Sequence, residues 1–248
     1  MGLDFTGKTV WVTGAGKGIG YATALAFVEA GARVTGFDLA FPLGDYPFAT
    51  ETLDVADAAQ VHEVCGRALA SLERLDVLVN NAGAMTKAPF LEMPFDDWRN
   101  IFTVDVDGAF LCSQIAARQM VKQGEGGRIV NITSVHEHTP LPEASAYTAA
   151  KHALGGLTKS MAMELVKHNI LVNAVAPGAI ATPMNDMDDS EVKEGSMPEI
   201  PLARPGHTKE IASLVAWLCD SDASYTTGQS FIVDGGFMLA NPQFKPEG

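Results

Sequence analysis

Tyr147 and Lys151 stand four residues apart in the stretch Ser134 to Lys151, SVHEHTPLPEASAYTAAK. On a helix that spacing stacks the two side chains on one face, one turn apart, so that an ammonium lies close to a phenol. A free tyrosine titrates near pH ~10, and a neighbouring positive charge favours its phenolate, which makes the group usable as both acid and base. Ser134 falls at the expected end of a strand, from where its hydroxyl could hold a substrate oxygen. Such a tyrosine and lysine also occur by chance on many helices, so the meaning of the pair depends on what the rest of the chain brings to it.

The opening KTVWVTGAGKGIGYATALAFVEAGARVTGFD reads as strand, glycine turn, helix, strand. Val10, Trp11 and Val12 form the short apolar run of a parallel strand covered on both faces, a helix follows from Gly18, Gly31 stops it, and Arg33 to Phe37 make the second strand. Gly14, Gly16, Gly18 and Gly20 permit a tight turn and let the backbone approach a pyrophosphate held against the N–H groups at the helix start. Ile19 occupies the place of the third glycine in GxGxxG, and no Gly-Lys-Ser/Thr follows, which leaves an ATP-binding loop unsupported. The strand-turn-helix-strand context points to a dinucleotide rather than to a merely structural turn.

Asp38 closes the second strand, where a carboxylate can accept hydrogen bonds from ribose hydroxyls and repel a 2′-phosphate. That predicts NAD rather than NADP. Lys17 is the counter-argument, a cation in the glycine loop that could attract the phosphate or simply face solvent.

The elements that must position these residues follow in a regular rhythm. Asp54-Val55 ends a short strand, with Asp54 suited either to the adenine amino group or to capping the helix that spans Ala58 to Leu72. The strand Asp76 to Val79 runs into Asn80-Asn81-Ala82-Gly83, a turn that lets the chain pass close beneath a cofactor. Residues 96–122 read as a long helical region, Arg128 to Thr133 as a strand, and the helix of Tyr147 and Lys151 continues through Leu154, Leu157, Met161 and Leu165 with an apolar face for core or subunit packing. Ile170 to Val175 form a strand ending in Pro177-Gly178, an irregular stretch follows Thr182, and a helix near Lys209 to Leu218 precedes a last strand near Ser230 to Val233. Seven strand signals alternating with helices, with no linker or repeat, predict an α/β chain. Its expected form is a single doubly wound Rossmann domain over residues 1–248, with a seven-stranded parallel sheet flanked by helices.

A formal net charge of -13 disfavours nucleic acid, because affinity for a phosphate backbone rests on lysine and arginine. Cys65, Cys112 and Cys219 are widely spaced and form no CxxC pair, so they read as small buried hydrophobes of a protein in a reducing cytoplasm. No apolar run approaches the ~18 residues of a membrane span. His136, His138 and a nearby carboxylate hint at metal, but no convincing third ligand spacing exists, and the expectation is none.

Together, TGAGKGIG at 13–20, Asp38, Asp54-Val55, NNAG at 80–83, Ser134, YTAAK at 147–151, PGAIAT at 177–182 and VDGG at 233–236 resemble the short-chain dehydrogenase/reductase family over nearly the whole chain. The resemblance implies a sheet of order 3-2-1-4-5-6-7 and hydride transfer between NAD(P) and an alcohol or carbonyl. It implies that Tyr147 is the acid/base, that Lys151 lowers its pKa and holds the nicotinamide ribose, and that Ser134 positions the substrate oxygen. Gly14, Lys17, Gly18, Ile19, Gly20, Asp38, Asp54, Val55, Asn81, Ala82, Gly83, Pro177 and Gly178 become cofactor-binding candidates, with Asn81 on the ribose side and Ile180 and Thr182 receiving the carboxamide. Asp105 in TVDVDGAF departs from the family's usual asparagine, which holds a water in the proton relay. An aspartate accepts the same hydrogen bonds but adds a negative charge that raises the pKa values of its neighbours. Family members usually form tetramers, so a homotetramer is expected.

The resemblance is uneven. Residues up to about 79 resemble bacterial 2,3-dihydro-2,3-dihydroxybenzoate dehydrogenases, and those from about 80 onward, including the tail VDGGFMLANPQF, resemble acetoin/diacetyl-reductase-like members, as if the chain were recombined near Val79-Asn80. The stretch after Thr182 matches the family's substrate lid. Between Asp186 and Glu199 it carries six carboxylates and one lysine, an awkward wall for an anionic substrate unless those charges face water. His136, His138 and Glu143 lie in the loop expected to border the substrate. The expected substrate is a small neutral hydroxy-ketone, diol or diketone. A cyclic dihydrodiol acid is the competing one, and a catalytically silent NAD-binding regulator is the reading from another class.

Overall fold

The computed structural model describes residues 2–72 and 74–240. Its seven strands are β1 (Thr9–Thr13), β2 (Arg33–Asp38), β3 (Ala49–Thr52), β4 (Val77–Asn80), β5 (Gly127–Ile132), β6 (Ile170–Pro177) and β7 (Ser230–Val233). They form one sheet in the order β3-β2-β1-β4-β5-β6-β7, every neighbouring pair parallel. Between them run α1 (Gly18–Glu29), α2 (Ala58–Ala70), α3 (Phe95–Phe102), α4 (Ala109–Gln123), α5 (Ser145–Leu165) and α6 (Thr208–Cys219).

Alternation along each strand divides the core in two. On one face Val10, Val12, Val79 and Val130 pack with Phe27 of α1 and Ile211 and Val215 of α6. On the other face Trp11, Phe37, Leu78 and Ile129 meet Val61 and Val64 of α2 and Cys112, Ala116 and Met120 of α4. Successive strand side chains point to opposite faces, so a strand covered by helices on both sides must be apolar throughout, as the wholly buried TVWVT of β1 is.

Local signals set the helix ends. Asp57 accepts from the N–H groups of Ala59 and Gln60 to start α2, and Gly124 in the left-handed conformation closes α4. The long helical region expected over residues 96–122 is continuous from α3 into α4, but it widens to π-helical spacing over Thr103–Gly108, and that segment carries Asp105. Periodicity does not reveal such an interruption, because the apolar spacing continues through it.

A buried polar line crosses the sheet beneath the strand ends. Asn80 Nδ2 donates to Ser113 Oγ of α4 and to Asn131 Oδ1, each at 2.8 Å, and Asn131 Nδ2 donates to Thr158 Oγ1 of α5 at 2.8 Å. Among the described residues no helix is long and apolar enough to cross a membrane. The tail residues 241–244, which contribute to the resemblance drawn from the sequence, lie outside the described residues.

Candidate active site

Helix α5 brings Tyr147 and Lys151 to the carboxyl ends of the central strands, where β5 delivers Ser134. All three are buried, and Lys151 Nζ stands 5.3 Å from the centre of the Tyr147 ring. Ser134 opens a short turn, Val135–Glu137, and its Oγ accepts from the His136 N–H at 3.2 Å, leaving its hydroxyl proton free to donate elsewhere.

Lys151 is the least ordinary of these groups, a lysine in the protein interior. Its Nζ donates to the Ile132 carbonyl at 3.3 Å and lies 2.9 Å from Asp105 Oδ2. Burial alone pushes the ammonium's pKa down; the Asp105 carboxylate and Tyr147 more than offset this, and the net displacement is upward. Asp105 is itself buried on the widened turn, where Oδ1 accepts from the Ala84 N–H at 2.7 Å. Oδ2 has no aligned hydrogen-bond donor, so its approach to Lys151 is a charge contact. The aspartate therefore pairs directly with the lysine.

The glycine loop lies against the NNAG turn. Gly14 has φ +65°, and a Cβ there would fall 2.7 Å from Asn81 Nδ2. At Gly20 a Cβ would come within 2.0 Å of the Gly14 carbonyl oxygen, so helix α1 can leave the turn this closely only with glycine. Asn81 Nδ2 donates to the carbonyls of Thr13 and Gly14, both at 3.0 Å, and Thr13 Oγ1 accepts from the N–H groups of Asn81 and Ala82. The amide nitrogen of Asn81 thus ties the turn to the loop, and only the rest of that side chain is left for a ligand. Asp38 Oδ2 accepts from the Gly16 N–H at 2.8 Å. Asp57, not Asp54, caps α2; Asp54 Oδ1 accepts from the Ala56 N–H at 2.9 Å at the edge of the cleft.

That cleft, of about 530 Å³, is lined by Gly14, Lys17, Gly18, Ile19, Asp38, Asp54, Val55, Asn81, Ala82, Gly83 and Thr182 among others. It fits a dinucleotide on physical grounds. The first turn of α1 has no side-chain cap, so its N–H groups remain available to a phosphate, and a Cβ on Gly18 would come no nearer than 3.5 Å to Thr182 and 4.0 Å to Pro183. A second cavity of about 570 Å³ is bordered by Ser134, Tyr147, Lys151, Pro177, Gly178, Ile180 and Thr182. Ile19, Asn81, Gly83, Thr182 and Met184 line both, so the two spaces adjoin, with Asp38 at the first and Tyr147 at the second.

Of the three loop residues expected at the substrate, only His136 borders this second cavity. The turn after Ser134 sends successive side chains in different directions. Glu137 is buried against Gly155 and accepts from Ser230 Oγ at 2.8 Å, while His138 Nε2 lies 3.5 Å from the same Ser230 Oγ beside β7. Glu143 is exposed with φ +61°, and its carbonyl accepts from the Ala88 N–H at 2.7 Å. The acidic wall expected after Thr182 does not form. Asp189 turns to Thr208 and His207, Glu194 lies 3.4 Å from Arg204, and of the six carboxylates only Glu199 borders the cavity. Lys87, Met85, Met197 and Ile200 also line it. No spacing signal in the sequence marks them, because they reach the site from loops. Among the described residues no group of three or more His, Cys, Asp or Glu side chains is placed to hold a metal ion.

The sheet order, the glycine turn over β1 and the Ser134, Tyr147 and Lys151 grouping define an oxidoreductase, and the chain belongs to the short-chain dehydrogenase/reductase family. A family model described as enoyl-(acyl carrier protein) reductase matches residues 14–238. Among solved structures, acetoin dehydrogenase from Enterobacter cloacae is 70% identical with a TM-score of 0.89, over 96% of this chain and 98% of that one. An uncharacterized oxidoreductase, YohF, of Escherichia coli K12 is 82% identical over 176 residues, 71% of this chain and 70% of the relative. The 2,3-dihydro-2,3-dihydroxybenzoate dehydrogenase of the same organism is 47% identical over 247 residues, 96% of this chain and 99% of the relative.

Proposed function

We propose that this chain is an NAD-dependent dehydrogenase/reductase that interconverts a small neutral secondary alcohol and its ketone, of the hydroxy-ketone, diol or diketone kind. The observation that carries the proposal is that the cavity holding Ser134 and Tyr147 adjoins the cleft holding Asp38, with five residues lining both. When bound, the nicotinamide supplies the acceptor or donor of hydride. Tyr147 Oη takes the hydroxyl proton of an alcohol, or gives it to the oxygen of a ketone. Ser134 Oγ fixes that same oxygen with its free hydroxyl proton. Lys151 directs one of its three N–H groups to the Ile132 carbonyl and meets Asp105 as a charge contact, which leaves N–H capacity for a ribose hydroxyl in the cleft.

Asp38 at the cleft edge supports NAD, since a carboxylate there meets a 2′-phosphate with like charge. Apolar Met85, Leu141, Ile180, Met197, Ile200 and Phe237 in the cavity lining support a small neutral substrate, as does the likeness to acetoin dehydrogenase. Oxidation of a cyclic dihydrodiol acid is the second reading, supported by the full-length relative of that activity. Recombination near Val79-Asn80, at the end of β4 within one domain, is part of this reading; the 82% match spans 176 residues and the 47% match 247. The half-exposed Phe110 and Val121 beside a groove between α4 and α5 support self-association, with a tetramer as the expected mass in light scattering. A panel of acetoin, diacetyl, butanediol and cyclic dihydrodiols, each with NAD and NADP cofactors, tests the function. The proposal expects turnover of the acyclic compounds with the lower KM for NAD. A lower KM for the phosphorylated cofactor, or turnover of the cyclic acid alone, would refute it.

A further inference from the structure

His136 sits two residues beyond Ser134, borders the cavity, and holds its ring edge-on to that of Tyr147 with centres 6.3 Å apart. Its Nδ1 lies 3.1 Å from the Thr139 carbonyl oxygen. A carbonyl only accepts, so this contact requires the proton on Nδ1. Burial holds the imidazole's pKa below its ordinary value; the Thr139 bond opposes this and the charge of Lys87 adds to it. The ring is therefore neutral at neutral pH, protonated at Nδ1, and its Nε2 is an acceptor without a proton.

We propose that His136 determines substrate specificity: Nε2 accepts a hydrogen bond from a hydroxyl on the carbon next to the reacting one. Two acts of recognition then meet one molecule. Ser134 and Tyr147 hold the oxygen that is oxidised or reduced, and His136 reads the neighbouring oxygen, which must carry a proton. A vicinal diol undergoing oxidation satisfies this requirement, and so does a hydroxy-ketone undergoing reduction. A monohydric alcohol offers nothing to Nε2, and a vicinal diketone presents it with a second acceptor. The chain is thus directed to the diol and hydroxy-ketone couple over the hydroxy-ketone and diketone couple. This inference rests on the reading that the cavity takes a small alcohol or ketone.

The test compares wild type with His136→Phe, which keeps a flat ring beside Tyr147 but lacks the acceptor, and with His136→Gln, whose side-chain oxygen restores one. The readouts are the ratio of kcat/KM for vicinal butanediol over secondary butanol, and the ratio for acetoin over diacetyl in reduction. In the Phe variant both ratios should fall by about ten- to a hundredfold, the range expected when a site loses the partner of a substrate hydroxyl. In the Gln variant they should recover to within about fivefold of wild type, on the same hydrogen-bond scale. Calorimetric titration of butanediol into the protein loaded with NADH should show the same loss and recovery in Kd, independently of turnover. Equal loss of both alcohols in the Phe variant, or ratios within about twofold of wild type, would overturn the proposal and leave the ring a packing role beside Tyr147. Wild type that binds NAD but turns over neither alcohol would instead overturn the reading of the site as an alcohol dehydrogenase.

Discussion

Replacing Asp105 with asparagine puts the buried ion pair to the test. Asp105 Oδ2 and Lys151 Nζ are 2.9 Å apart, with side-chain exposures of 0% and 5%. At that separation the gross attraction is about 6 kcal/mol for an effective dielectric constant of ~20. Desolvation of both ions offsets much of it, but removing one partner strands the other charge, for which a loss of about 3–5 kcal/mol is expected. The amide cannot serve both neighbours as the carboxylate does. If its oxygen keeps the Ala84 N–H, its NH₂ turns toward the ammonium. In a chain of this size the melting temperature should fall by about 6–20 °C.

The pH dependence fixes the sign. Lys151 has its folded pKa raised above 10.5, so its contribution to stability is complete below the unfolded value and is lost as pH rises through the folded one. The gap in melting temperature between wild type and variant should be widest near neutral pH and narrow above pH ~10.5. With the carboxylate gone, burial dominates and Lys151 releases its proton at lower pH, so the alkaline limb of kcat/KM should move toward neutrality. Calorimetric melts at about pH 8 and about pH 11, with a pH-rate profile, measure both effects. A variant that melts within about 2 °C of wild type and keeps the same alkaline limb would refute the assignment of the ion pair as Lys151's support.

Tyr147→Phe should lower kcat by about a hundred- to ten-thousandfold, the range of a positioned acid/base, while fluorescence titration still detects NAD binding. An active Phe variant would remove Tyr147 from the chemistry. Gly20→Ala would drive a methyl to within 2.0 Å of the Gly14 carbonyl oxygen and 2.4 Å of Asn81 Nδ2, so it should lower both the melting temperature and NAD affinity, measured by calorimetry and titration. Glu210 hydrogen-bonds Arg204, which with the His207 N–H holds its carboxyl at about 2 against the resistance of burial. Its folded pKa is depressed, so its stabilisation is present above ~4.5 and lost as pH falls toward about 2; Glu210→Gln should melt below wild type at neutral pH and converge with it in acid.

Much of this architecture could be read from pattern because the central strands are buried on both faces and must be largely apolar. That is why VWV, VLVN and RIVNI stand out as strands, and why the glycine turn after the first of them has an unambiguous place. The grouping of Ser134, Tyr147 and Lys151 was legible for a related reason, since helical spacing joins two of them and a strand end delivers the third. What pattern does not carry is direction within a turn. Three neighbouring side chains, His136, Glu137 and His138, leave the same short turn toward a cavity, a helix and a strand edge, and their order in sequence does not reveal which goes where. Nor could it foretell that Asp105 would meet Lys151 without an intervening group, because that contact depends on a local widening of a helix whose apolar spacing is uninterrupted. The carboxylates after Thr182 mislead in the opposite way: charge counted along a segment does not say which oxygens turn to a neighbouring helix.

The polar line through Ser113, Asn80, Asn131 and Thr158 indexes the sheet. Valines and isoleucines can slide past one another by two residues and still face the same side, so apolar burial alone leaves parallel strands free to settle in more than one alignment. The Asn80–Asn131 bond removes that freedom between β4 and β5, and the bonds to Ser113 and Thr158 tie each of these strands to its helix. In a shifted alignment amides and hydroxyls would be left unpaired inside the protein, each at a cost of about 1–3 kcal/mol. Asn81 directly follows one member of the line, and Ser134 stands three residues beyond another, so the same bonds that choose the alignment also set where the cleft meets the cavity.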